Sequence, residues 1–208
     1  MSYNLKIFRF FTKKNLTTKK IFGIIYIGWK IGGDNMILLA IDASTKSSGW
    51  SIYDGQDLKD YGCITASSSN LFRRIHKMVD EIEKVIKQYS VEEVAIEDVI
   101  PDDVRHNQNV YKALTYLQGY LLEKFDELGI KKITFYVSSE WRKKCAIHTG
   151  RGIKRGSLKP LDIAFVKNQY GLDVNDDVAD AICIGFAHLG GIVKQPQSVV
   201  TDDGFEFR

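Results

Sequence analysis

Only three cysteines occur in the 208-residue chain, Cys63, Cys145 and Cys183. They are odd in number and far apart, with no C-x-x-C or H-x-x-x-H arrangement, so neither a disulfide framework nor a zinc site is expected. Free thiols in a reducing, cytoplasmic setting are the simplest reading. Also missing is any run of about 20 apolar residues, the length needed to span a bilayer, so no membrane partner is expected. Charge of one sign is scarce too. Lys and Arg number 29 against 26 Asp and Glu, a net +3, and bulk charge therefore names no partner. Internal repeats and low-complexity tracts are absent. What is present is 44% hydrophobic residues, enough for the substantial core of one domain with extensions.

The charges are unevenly placed. Residues 1–35 carry Lys6, Arg9, Lys13, Lys14, Lys19, Lys20 and Lys30 against Asp34 alone, together with the apolar run from Ile21 to Trp29. A basic start before a short apolar run resembles a signal peptide, but glycine interrupts the run and no small-residue cleavage site follows, so secretion is not expected. The expected organisation is a basic N-terminal extension over 1–35, one α/β domain over 36–190 and a loosely structured tail over 191–208. Met36 is expected to be the natural start. The first strand begins there, and Gly32-Gly33-Asp34 can be encoded by a purine-rich ribosome-binding sequence just ahead of it. The competing reading is a basic arm that touches phosphates or a membrane surface.

From Met36 the pattern changes. Ile37 to Ile41 is a continuous apolar run suited to a buried central strand, ended by Asp42. Ser48 to Asp54 reads as a second strand, Asp54-Gly55 as a turn and Leu58 to Ala66 as a third strand, an antiparallel meander. Leu71, Ile75, Val79, Ile82, Ile86 and Tyr89 then recur at helical spacing behind the N-cap candidates Ser67 to Asn70. Val94-Ala95-Ile96 reads as a short buried strand leading into Glu97, and Pro101 blocks its continuation. A long helix is predicted from Asn107 to Leu128, striped by Val110, Leu114, Leu117, Leu121 and Phe125 and stopped by Gly129. A fifth strand at 132–137, a helix over 158–170 and a last helix from Asp176 to Leu189 complete the domain. Strands alternating with helices imply a mixed sheet covered on both faces.

Four acids stand where apolar elements end. Asp42 closes the first strand, Glu97 the fourth, and Asp177 and Asp180 open the last helix. A charge at the end of a buried strand is costly to desolvate without a partner, and a divalent cation with hard oxygen ligands is a good one. Asp177 and Asp180, three residues apart, share a helical face. Asp176 and Asp177 taken alone also suit helix capping and dipole compensation, but that leaves Asp180 unexplained. Asp98, Asp102 and Asp103 suit a solvated turn.

The segments ILLAIDASTKSSGWSIYD, VEEVAIEDV and DDVADAICIGFAH resemble, in order, the first hairpin, the fourth strand and the C-terminal D-x-x-D-A helix of the RuvC-like Holliday junction resolvases, over about Met36 to Leu189. The first segment also resembles the phosphate loop of sugar-kinase-like ATPases, but no second phosphate loop or adenosine motif follows. The intervening sequence looks more like phage versions of the family, which would make the protein phage- or prophage-encoded. The resemblance implies an α/β, RNase H-like fold, a mixed five-stranded sheet flanked by helices on both faces. It implies a homodimer, two Mg2+ or Mn2+ ions per active site, and phosphodiester hydrolysis at four-way junctions or other branched DNA, in recombination and repair. Asp42, Glu97, Asp177 and Asp180 become the metal-binding catalytic carboxylates, with Asp42 bridging the two ions.

Between Trp141 and Lys167 lie Arg142, Lys143, Lys144, Arg151, Lys154, Arg155 and Lys159, opposed only by Asp162. Gly150, Gly152 and Gly156 make HTGRGIKRGS a flexible basic loop. Charge runs are often plain solvated surface. The position just ahead of the carboxylate helix favours DNA phosphates as the partner of Arg142, Lys143, Lys144, Arg151, Lys154, Arg155 and Lys159. His148 is read as an exposed or phosphate-contacting residue before a general base. Val99 and Ile100, just after Glu97, suit either packing or an apolar wedge in the junction. Ala113, Tyr116, Tyr120 and Leu122 give the long helix more apolar surface than one stripe requires, as a dimer contact would. Two other readings stay open: an RNase H-like nuclease acting on flaps, replicative branched DNA or RNA, and a non-catalytic junction-binding protein, against which the presence of all four acids speaks.

Overall fold

The computed structural model describes residues 36–101, 107–130, 132–147 and 155–192. The basic extension expected over 1–35, His148 and most of the glycine-rich loop, and the tail from residue 193 lie outside them.

The apolar run forms strand β1 (Ile37–Asp42), and its two faces feed two different cores. Leu38 and Ala40 belong to one, Leu39 and Ile41 to the other, as the two-residue period of a strand requires. Strands β2 (Ser47–Asp54) and β3 (Asp57–Thr65) follow antiparallel, turned by Gly55 at a φ of 60°, a value that favours glycine. Helix α1 (Leu71–Tyr89) is capped by Asn70, whose side chain accepts from the Arg73 amide. Strand β4 (Glu93–Glu97) returns parallel to β1, in register from Leu38 opposite Glu93 to Ile41 opposite Ile96. After helix α2 (Gln108–Glu127), strand β5 (Lys132–Tyr136) adds parallel to β4. The sheet order is β3-β2-β1-β4-β5, the mixed five-stranded sheet that was expected.

Helices α1 and α2 cover one face through Ile75, Met78, Val79, Ile82, Ile86, Leu117, Leu121 and Phe125. The other face carries α3 (Ser138–Lys144), α4 (Leu158–Tyr170) and α5 (Asp176–His188). Every residue of α5 from Val178 to Ala187 is buried, and small residues let it approach so closely. Ala40 and Ala95 floor its bed, and a Cβ on Gly185 would lie 2.3 Å from the Tyr53 ring. Ser51 Oγ and Tyr53 Oη of β2 donate to the Ala181 and Ile182 carbonyls at 2.9 and 2.8 Å.

Two features depart from expectation. Helix α3 was not foreseen, although Ser138-Ser139-Glu140 is a helix-start signature and the Glu140 carboxylate accepts from the Val137 amide at 3.3 Å. The predicted stripe of α2 is buried only from Leu117 onward, and Val110 is exposed.

Candidate metal centre

Because β1 and β4 are parallel neighbours in register, their ends lie side by side, with Asp42 and Glu97 one step beyond the paired Ile41 and Ile96. Ile41 and Ile96 face α1 and α2, so strand alternation turns Asp42 and Glu97 to the opposite face, where α5 packs. The first turn of α5 starts there. Its cap is Asn175, whose side chain accepts from the Val178 amide at 3.0 Å, so capping does not account for Asp177. Ser47 Oγ donates to Asp177 Oδ2 and lies 3.2 Å from the Cys63 thiol. Asp180 sits one turn further on, 7% exposed. Asp98 is exposed, as a solvated turn residue should be.

These acids sense one another. Burial, with the charges of Glu97 and Asp177 added, pushes Asp42 from 3.8 up to about 8. Burial, then Asp42 and Asp162, pushes Asp180 from 3.8 up to about 9. One oxygen of Asp180, Oδ1, is buried without a hydrogen-bond partner. Among the described residues no three Asp, Glu, His or Cys side chains are already drawn tightly enough together to cage an ion. The donors nevertheless fit a hard divalent cation. They are all oxygens, their repulsion is what such an ion relieves, and an orphaned buried oxygen is a ligand in waiting. Asp42, Glu97, Asp177 and Asp180 are the residues that could hold it.

The raised values have a testable consequence. An acid whose folded pKa lies above its unfolded one adds stability below the unfolded value and loses it as the pH rises through the folded value. In a chelator, the stability due to Asp42 and Asp180 should therefore be full below 3.8 and fall as pH rises through about 8 to 9. Millimolar Mg2+ needs the ionised carboxylates, so it should raise the melting temperature more at pH 8.5 than at pH 6. Calorimetric melts across that range check both trends.

The basic segment divides. Arg142, expected on DNA, is 8% exposed, and its Nε and Nη2 donate to Asp162 at 2.9–3.1 Å, with Nη2 also 3.5 Å from Asp180 Oδ2. It is an interior cation held by two carboxylates, not an exposed phosphate contact. Helical periodicity turned it inward when α3 formed. Lys143 and Lys144 are exposed, Lys144 over the Tyr136 ring. Lys159 pairs with Asp176, and its charge reaches Asp177 and Asp180. Arg155 opens a short 3-10 turn ahead of α4, while Arg151 and Lys154 lie outside the described residues. The sequence reading missed Trp141, whose indole Nε1 donates to Glu97 Oε2 at 3.1 Å, and Ser47 on Asp177. Both act through contacts between segments distant in sequence.

A mixed sheet in this order, with acids ending two neighbouring parallel strands and lining the helix packed across them, is the scaffold of the RNase H-like α/β proteins. The fold matches a solved RuvC from Thermus thermophilus with a TM-score of 0.59 at 16% identity, over 74% of this chain and 94% of that one. It matches "T. thermophilus RuvC in complex with Holliday junction substrate" with a TM-score of 0.57, also at 16% identity, over 74% and 93%. The family described as Crossover junction endodeoxyribonuclease RuvC matches residues 38–188, and the chain belongs to that family. Relatives bearing that name include the protein of Wolinella succinogenes, 31% identical over 76% of this chain and 99% of its own. That of Finegoldia magna is 29% identical over 75% and 94%.

Proposed function

We propose that residues 36–190 form a nuclease domain that resolves four-way DNA junctions by divalent-metal-dependent hydrolysis, with Asp42, Glu97, Asp177 and Asp180 as ligands. The observation that carries this is the approach of the start of α5, with Asp177 and Asp180, to the ends of β1 and β4, with Asp42 and Glu97, where burial and then neighbouring acids push Asp42 up to about 8 and Asp180 up to about 9. When bound, Mg2+ or Mn2+, two per site, would supply an activated water and a counter-charge for the leaving oxygen. The chain's own residues do the rest. Beside the acids runs a groove of about 660 Å³ whose lining includes Lys46, Arg74, Val99 and Ile100, suited to a DNA strand with its phosphates against the cations and a base or sugar on the apolar side. Lys159, half-exposed and paired with Asp176, lies close enough for its charge to reach Asp177 and Asp180. With Lys143, Lys144, Arg151, Lys154 and Arg155 it gives phosphate contacts, so affinity should fall with salt.

A four-way junction presents two equivalent scissile strands, which a two-fold dimer matches with one site each. The exposed apolar side chains favour that assembly: Phe72 of α1 is 63% exposed, and Tyr116 and Leu122 of α2 are 53% and 37%. A shallow apolar groove between these helices is lined by Phe72, Ile75, Tyr116 and Tyr120. Among the described residues no helix is long and apolar enough to cross a membrane.

Synthetic four-way, flap and linear duplex DNA, each with Mg2+, separate the readings. The junction should be cut in preference, with both strands incised within the lifetime of one complex. Preferred cutting of the flap would favour a replicative-branch nuclease, and binding of the junction without Mg2+-dependent cutting would favour a non-catalytic binder.

A further inference from the structure

We infer that α3 is a brace for the metal ligands: Trp141 and Arg142, backed by Asp162 of α4, are positioning residues for Glu97 and Asp180. The inference rests on the reading that the four carboxylates hold a divalent ion. Helix α3 is only seven residues long, too short to be stable alone. It sends two consecutive polar side chains inward. Trp141 is fully buried, and its indole N–H reaches the Glu97 carboxylate at 3.1 Å. A glutamate at a strand end has three rotatable bonds, and a directed hydrogen bond from a rigid, packed ring removes much of that freedom.

Arg142 acts on the other side of the centre. Its guanidinium lies 4.0 Å from the centroid of the Trp141 ring, so the two positions are locked to each other. The side chain grips Asp162, which has no exposure at all, through three contacts of 2.9–3.1 Å. Its approach to Asp180 Oδ2 is longer, 3.5 Å. Asp162 thus keeps a cation close enough to orient Asp180 while holding it back from full pairing. Asp180 Oδ1 stays buried and unpartnered. Were Arg142 released from Asp162, it would close on Asp180 and compete with the metal for that carboxylate. Loss of a group that orients a metal ligand typically weakens metal affinity by about 10–100-fold.

The test is calorimetric titration of the full chain with Mn2+. Trp141→Phe keeps the ring and removes the donor, and should bind Mn2+ about tenfold more weakly. Asp162→Asn frees Arg142 and should weaken binding at least as much. In wild-type protein the indole N–H resonance of Trp141, identified by its loss in Trp141→Phe, should shift on addition of Mg2+. A purely structural role predicts lower melting temperatures with unchanged Mn2+ affinity, and that result in Trp141→Phe overturns the brace. If Asp162→Asn does not fold, Trp141→Phe alone decides. Asp42→Asn is measured alongside. If it loses Mn2+ binding while Trp141→Phe binds like wild type, only the brace fails. If Asp42→Asn binds like wild type, the metal centre fails and the brace with it.

Discussion

Glu97→Gln abolishes junction cleavage, lowering the rate by about a thousandfold or more, while junction affinity in the absence of metal stays within about twofold. The substitution removes one negative oxygen donor at the end of β4 and leaves the basic residues of the surface unchanged. Asp42→Asn, Asp177→Asn and Asp180→Asn have the same double outcome. Two of them also carry a thermodynamic signature. Asp42 and Asp180 are the acids that burial pushes up, so their amide variants should melt higher than wild type in chelator at alkaline pH, where ionisation is costly. A gain in stability together with a loss of activity marks acids kept for chemistry and not for the fold. Single-turnover cleavage, binding in EDTA and melts at about pH 8.5 are the three measurements. Full activity in Glu97→Gln would remove it from the centre.

Gly49→Ala should be the most damaging single-methyl change in the domain. A Cβ at Gly49 would stand 1.8 Å from the Asp177 carbonyl oxygen and 2.3 Å from its carbonyl carbon. Both are backbone atoms of the helix that carries two of the four acids, so no side chain can swing aside. The start of α5 must lift, which should cost roughly 3 kcal/mol or more and spread the carboxylates apart. Gly62→Ala is the control. Its Cβ would meet the Trp50 ring at 2.7 Å, a half-buried side chain that can shift, so the cost should be well below that of Gly49→Ala. Denaturant midpoints and Mn2+ affinity of the two variants test the difference. A Gly49→Ala protein that melts and binds Mn2+ like wild type would contradict the close packing of α5 on β2.

Which parts of this were legible in the sequence follows from the range of the interactions involved. The strand at Ile37–Asp42 and the helix at Leu71–Tyr89 are written in local periodicity, and the structure places them within a residue of where the pattern does. Asp42 and Glu97 stand out in the sequence as acids that close apolar runs, and Asp177 and Asp180 as acids on one face at the start of a helix, patterns that local reading detects; their service at a metal is the reading proposed above. Arg142 was misread for the complementary reason. As one of seven basic residues between 142 and 159 it looked like surface charge, and nothing near it in sequence says that Asp162 and Asp180 await it inside. Short α3 ends in that charge run, which masks its last turn. Gly49 illustrates the same limit. In sequence it is one glycine in a strand, and its importance appears only when Asp177 is found against it.

The close seat of α5 against β1 and β2 also bears on how the enzyme comes into being. The first strand of the domain and its last helix carry three of the four acids of the proposed centre, and each also covers the other's apolar surface. During synthesis Asp42 leaves the ribosome long before Asp180, so no intermediate length of the nascent domain holds a complete set of acids. Such sequence-distant docking makes folding slow, and the uncovered face of β1 is exposed to association with other chains while it lasts. On the proposed assignment, a half-made or partly unravelled domain, its α5 not seated on β1, lacks a complete set of ligands and should leave duplex DNA uncut.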